Sequence, residues 1–270
     1  MRRRRRRGLC WLWLVATSCT PDFPPHWIYT TGVDRTAATV VWTGTHGGTT
    51  ECRTSGAPPV TAPAVPRERG LVSARVEGLT PGTRYACRIV APDGQPVARV
   101  HFRTAPADDV PLLFTVVGDS GHGGPVAKAI ARRIRAAHPA FLIHVGDFAY
   151  NHGSREDMKD RFFPPYRGTL RRLPIFPTPG NHDLVRHSIY RTLFAPASDQ
   201  RPGDGLRYRF RWGPAAFVSI DSPDGAAGAP GLADDLAADG PAAWRIVFLH
   251  EPLHPLVSRG VERQIGRAHV

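Results

Sequence analysis

Phe141-Leu142-Ile143-His144-Val145-Gly146-Asp147-Phe148-Ala149-Tyr150 sets a short, mainly apolar run directly against a Gly-Asp pair. Five residues bounded by His138-Pro139 and by Gly146 are too few for a helix and read as a buried strand ending in a loop. The arrangement recurs on both sides. Leu112 to Val117 is expected as a buried strand running into Gly118-Asp119-Ser120-Gly121, and a strand through Ile175 and Phe176 precedes Gly180-Asn181-His182-Asp183. Between the first two lies a helical stretch. Pro125 suits its first turn, and Val126, Ile130 and Ile134 recur every four residues as its expected buried stripe. A further short helix is expected over Arg155 to Phe163, with strands at Tyr208 to Phe210, Ala216 to Ile220 and Arg245 to Leu249. Strands alternating with helices define an α/β domain. Asp119 and Asp147 are 28 residues apart, and Asp147 and Asn181 are 34 apart. Each interval accommodates one strand–helix–strand unit, so all three loops can open on the same sheet edge.

That edge, past the carboxyl ends of the strands, is where α/β proteins gather ligands. Taken singly, Gly-Asp or Gly-Asn is an ordinary turn. Taken together, Asp119, Asp147, Tyr150 and Asn181 supply carboxylates, a phenol and an amide, and Phe248-Leu249-His250-Glu251-Pro252 adds an imidazole at another strand end. Such a donor set suits two hard cations, which can activate water against a phosphate ester.

From about Trp27 to Pro252 the chain resembles the purple acid phosphatases within the calcineurin-like metallophosphoesterases. Gly-Asp-x-Gly, Gly-Asp-x-x-Tyr, Gly-Asn-His-Asp and the later strand-end histidine stand in that family's order. The resemblance implies a four-layer α/β/β/α catalytic sandwich behind a small all-β sandwich. It implies a binuclear centre, Fe(III) with a divalent Zn, Mn or Fe ion. Asp119 and Tyr150 would hold the ferric ion, Asp147 would bridge, and Asn181 with His250 would hold the second ion. His182 would be the general acid for the leaving alkoxide. The implied substrate is a small-molecule phosphate monoester. A phosphodiesterase on the same scaffold and a non-catalytic surface binding protein remain as alternatives. The chain departs from the pattern twice. The wider superfamily's Asp-x-His is absent, His122 falling one place late and reading as a loop residue. The family's final Gly-His-x-His is also absent, since neither His254 nor His269 provides it. Weak metal binding and weak turnover are therefore expected of these 270 residues. His144 reads as core or as support for the ligands, while His152 and His187 lie close enough to the motifs to meet a phosphate.

Ahead of the catalytic region, residues 26–105 read as all-β and fibronectin type III-like. Thr36 to Thr43 puts Val40 and Trp42 on one face, Leu71 to Val76 and Arg84 to Val90 are further strands, and Ser55 to Pro66 is turn-rich. Leu79-Thr80-Pro81-Gly82-Thr83-Arg84-Tyr85 has the spacing of a tyrosine corner. Cys52 and Cys87 would fall on neighbouring strands as a disulfide. A linker is expected over Thr104 to Pro111, with the catalytic domain over 111–264. Arg2 to Arg7 carry six of the formal +12, ahead of the apolar run Leu9 to Ala16, which is the layout of a signal peptide over 1–19. Ala16-Thr17-Ser18-Cys19 resembles a lipobox, making Cys19 a candidate lipidation site, with simple cleavage as the other outcome. The chain is expected to be exported, either secreted or lipid-anchored, and to touch membrane only through that anchor. The remaining +6 is spread without basic blocks, so no nucleic-acid partner is expected. Ile265 to Val270 spell a sequencing-adapter translation, so a reading frame cut near Gln264 and a non-native tail over 265–270 are expected.

Overall fold

The structure is a computed structural model that describes residues 27–44, 48–107, 110–185, 188–194, 206–220, 231–238 and 240–251. The leader, Cys19, the tail, His187, His254 and His269 lie outside the described residues.

The first part contains β1 (Ile28–Thr31), β2 (Ala38–Thr43), β3 (Thr49–Arg53), β4 (Val60–Pro63), β5 (Val65–Pro66), β6 (Leu71–Val76), β7 (Arg84–Val90) and β8 (Pro96–Arg103). They form two four-stranded antiparallel sheets, ordered β1-β2-β6-β5 and β4-β3-β7-β8. Strand β7 shows the alternation plainly. Tyr85, Cys87 and Ile89 are buried between the sheets, and Arg84, Ala86 and Arg88 face out. Cys52 stands opposite Cys87 across β3 and β7, and the two are disulfide-bonded. The Thr80 N–H donates to the Tyr85 hydroxyl at 2.9 Å, the bond of a tyrosine corner. The stretch from Ser55 to Pro66, expected as turns, also holds the short strands β4 and β5. Pro63 and Pro66 sit on edge strands, where a missing N–H breaks no ladder.

Every residue of β2 is buried, although only alternate ones were expected to be. Val40 and Trp42 face the other sheet, while Val41 and Tyr29 pack with Phe163 and Phe194 of the second part. Trp27 stacks on Phe163 with centroids 4.3 Å apart, and the Thr31 hydroxyl donates to the Ile175 carbonyl at 3.0 Å. The Tyr29 hydroxyl donates to the Leu193 carbonyl, and burial pushes its pKa well up. The β-sandwich is thus packed against the second part through its first sheet.

The second part contains β9 (Thr115–Val117), α1 (Gly124–Ala136), β10 (Leu142–Val145), α2 (Arg155–Asp157), a π-helical turn over Met158–Phe162, α3 (Phe163–Leu170), β11 (Ile175–Thr178), α4 (Tyr190–Phe194), β12 (Tyr208–Trp212), β13 (Ala215–Ser219), α5 (Leu232–Ala238) and β14 (Trp244–Phe248). Strands β11-β10-β9 form a parallel sheet, and β12-β13-β14 form a second sheet. The two sheets face each other through aromatic rings. Phe176 stacks on Phe210 at 3.7 Å, and Phe141 meets Phe217 edge-on at 5.5 Å. With α1 and α3 outside the first sheet and α5 against β13, the layers run α/β/β/α. Strand β9 is shorter than expected and only half-buried, because it lies at the sheet edge. The buried stripe of α1 is Ala127, Ala131 and Ile134, while Val126 is 70% exposed. Ile134 and the half-buried Ile130 of the expected repeat face the core, but its start does not: Ala127 and Ala131, rather than Val126, let this helix lie close to α3. Among the described residues no helix is long and apolar enough to cross a membrane.

Candidate metal centre

Asp119, Asp147 and Asn181 each lie two or three residues past the carboxyl end of β9, β10 and β11, and His250 lies two past β14. Because β9, β10 and β11 are parallel, their loops open on one edge. Ligand atoms of Asp119, Asp147 and His250 all fall within 4.8 Å of one another. The Tyr150 hydroxyl donates to Asp119 Oδ1 at 3.1 Å. His250 Nε2 is 3.2 Å from Asn181 Oδ1 and 3.7 Å from Asp147 Oδ1. All five residues read from the sequence as ligands therefore converge. His182 flanks them: its N–H donates to Asp147 Oδ1 at 3.2 Å, and its ring stands edge-on to Tyr150 with centroids 4.9 Å apart. His122 packs on the other side of Tyr150 at 4.7 Å, closer to the centre than a distant loop residue would be. His152 is exposed beside the same loop, its N–H donating to Asp157 Oδ2.

The backbone at both aspartates is unusual. Asp119 has φ 52° and Asp147 has φ 56°, the left-handed region that non-glycine residues seldom occupy. Such conformations persist only where the surroundings impose them. For Asp147 that surrounding is Asp183, which the sequence reading quoted but gave no role. Its buried carboxylate accepts from the N–H groups of Asp147 at 2.7 Å, Gly180 at 2.9 Å and Phe148 at 3.2 Å. It staples the second motif loop to the third. Burial pushes its carboxyl up to about 7, against the pull of those N–H groups. An acidic residue at the third position of a short helical turn was the available signal. His144, also buried, meets Ser120 Oγ through Nε2 at 2.9 Å and stacks on Phe148 at 3.7 Å. It thereby supports the first motif loop from below.

The donor set fits a cation. His250 Nδ1 is 2.8 Å from the Val145 carbonyl, which can only accept, so Nδ1 carries the proton. In the neutral ring, Nε2 then directs a lone pair at the oxygens of Asn181 and Asp147. Acceptors facing acceptors, with the imidazole oriented by a backbone carbonyl, is the arrangement of a metal ligand. Burial, then the charges of Asp147 and Asp119, drive the Tyr150 pKa up, so a phenolate here requires a cation beside it.

The fold brings carboxylates, a phenol, an amide and an imidazole to one edge of a doubly layered sandwich, a donor set suited to hard cations. The calcineurin-like phosphoesterase family model matches residues 112–270, and the chain belongs to that family, whose members use metal ions. The solved structure of PhoD is similar in fold, with a TM-score of 0.54 and 14% identity over 75% of this chain. The chain spans 53% of the length of PhoD. Shorter matches over the β-sandwich include the FN5 domain of Drosophila Lar (22% identity, TM-score 0.26, 31% of this chain and 95% of that one). Another is the FN1–FN3 segment of chicken CNTN1 (25% identity, TM-score 0.25, 35% and 36%). No curated protein matches by sequence.

Proposed function

We propose that the chain is a phosphomonoesterase of the purple acid phosphatase type, with an Fe(III)–divalent centre and a fibronectin type III-like domain in front. One observation carries the reading: the Tyr150 hydroxyl lies 3.1 Å from Asp119 Oδ1, three residues after Asp147, where a phenolate can join the carboxylates on a hard trivalent ion. Asp119 and Tyr150 would hold that ion, Asp147 would bridge, and Asn181 and His250 would hold the divalent one. When bound, the metal pair supplies charge that clamps phosphate oxygens and lowers the pKa of water. His182 would deliver the leaving-group proton. Its Nδ1 is 2.6 Å from the Asn151 carbonyl and donates to it, so Nε2 is the nitrogen left to face the leaving group, and it holds a transferable proton in the imidazolium form. The disulfide supports an exported protein in an oxidising compartment, secreted or anchored through Cys19. The test is to load the chain with iron and record its visible spectrum alongside aryl phosphate monoester and diester hydrolysis. A phenolate-to-iron band lost in Tyr150→Phe, with monoesters preferred, is expected. A colourless iron-loaded chain would overturn the ferric assignment, and a diester preference the substrate class.

A further inference from the structure

A groove of about 810 Å³ runs between the β-sandwich and the catalytic part. It lies at the opposite end of the parallel sheet from the metal centre. Leu113, Ala140 and Leu173, which line it, precede β9, β10 and β11, whereas the ligands follow those strands. Its lining is basic: Arg53, Arg84 and Arg103 on the sandwich side, Arg135, His138 and Arg172 on the other, and no carboxylate among the described lining residues.

The sheet register makes this more than a scatter of exposed arginines. Arg84 stands directly opposite Arg103 across β7 and β8, a like-charge pair that destabilises a bare sheet. In the next row Arg53, Ala86 and His101 lie side by side. The face carries one described acid, Glu51, which is engaged by Arg53 and by Arg88, the latter at 2.7 Å. Several guanidinium groups are held by uncharged acceptors: Arg103 by the Gly82 carbonyl at 2.9 Å, Arg135 by the Thr169 hydroxyl at 3.1 Å and Arg172 by the Gly168 carbonyl at 3.1 Å. These bonds fix the side chains without neutralising them, which preorganises the groove for an anion. Of the lining residues, Tyr85 and Phe102 turn into the sandwich core and are 4% and 3% exposed, so neither ring offers a face for a nucleic-acid base to stack on. The volume falls in the range of small-molecule sites.

We propose that this groove binds a small ligand bearing two or more phosphate groups, at a site separate from the metal centre. The ligand is held by Arg84 and Arg103 from one wall and by Arg135 and Arg172 from the other, and is retained rather than hydrolysed.

Calorimetric titration of the full chain with tripolyphosphate, at low and at high salt, tests this. One tripolyphosphate per chain is expected to bind, more weakly in salt, and to bind equally in Asp119→Asn, which disables the metal centre. Arg84→Gln with Arg103→Gln should weaken it about tenfold or more, since each replaces a charged hydrogen-bonding partner. Thermal melting checks the fold of the double variant, and Arg84→Gln alone serves if the double variant is destabilised. Unchanged affinity in the arginine variants, or loss in Asp119→Asn alone, would overturn the proposal. Inorganic phosphate or a short DNA duplex bound as tightly as tripolyphosphate would overturn the assignment of a small, multiply phosphorylated ligand.

Discussion

Gly180→Ala isolates the geometry of the metal centre from the stability of the fold. Gly180 has φ −99° and ψ 174°, an extended conformation open to any residue, so alanine meets no backbone penalty. What it meets is Asp147. A Cβ at position 180 would lie 2.2 Å from Asp147 Oδ1, 2.5 Å from its N and 3.0 Å from its Cγ. Restoring ordinary contact requires a displacement of about 1 Å, and the loops cannot part freely because the Asp183 carboxylate bonds the N–H of both residues. Overpacking of this kind costs about 1–3 kcal/mol, partly offset by about 0.4–1 kcal/mol from the stiffer unfolded chain. The larger consequence falls on the ligand. Displaced support costs about 10- to 100-fold in metal affinity, and a 1 Å misplacement about 100-fold in rate.

The control is Gly78→Ala. Gly78 has φ 75° with nothing within 4 Å of a built Cβ, so alanine there carries backbone strain of about 1 kcal/mol and touches no ligand. Both variants should melt a few degrees early. Only Gly180→Ala should bind Mn²⁺ or Zn²⁺ 10- to 100-fold more weakly in a titration at a temperature where both are folded. Wild-type metal affinity in Gly180→Ala would refute the placement of Asp147 in the centre, and equal losses in the two variants would reduce the effect to stability.

Three further outcomes follow from named contacts. Asp183→Asn keeps the shape, but the two carboxylate oxygens accept three N–H bonds between them, and one of the two becomes an NH₂ that faces an N–H. Denaturant unfolding of the metal-free chain should show a loss of about 1.5–3 kcal/mol, with none if the staple is unimportant. Opening the Cys52–Cys87 bond by double alanine substitution frees a 35-residue loop, which should cost about 4 kcal/mol in urea unfolding; a reducing agent should then have no further effect. Burial lowers the His144 pKa from 6.5 to about 3, so the unfolded chain takes up a proton that the folded one refuses. That contribution is fully present above about pH 6.5 and is lost as pH falls towards 3. His144→Phe should flatten the acid limb of melting temperature against pH, and an unchanged limb would show that another group sets it.

The site was far more legible than its supports, for a physical reason. Ligands must be particular residue types at strand ends, so Asp119, Asp147, Tyr150, Asn181 and His250 stand out in a one-dimensional string. Asp183 and His144 act through backbone amides and a serine hydroxyl, partners that only the folded chain brings near. The bounds of β6 and β7 were readable to the residue, and on β7 the alternation has one buried face. On β2 the same alternation was present but incomplete as evidence, since the outer face carrying Thr39, Val41 and Thr43 is buried, Val41 packing with the metallophosphoesterase part. The α1 stripe was legible at Ile130 and Ile134 but not at its start, because Ala127 and Ala131 give a weak hydrophobic signal where close helix packing is what matters. The basic groove needed the register most of all. Arg84 and Arg103 are 19 positions apart in sequence, and nothing marks them as a pair until β7 and β8 lie side by side. A chain this rich in arginine invites a compositional explanation for each one, and the sheet register is what separates a built anion site from that background.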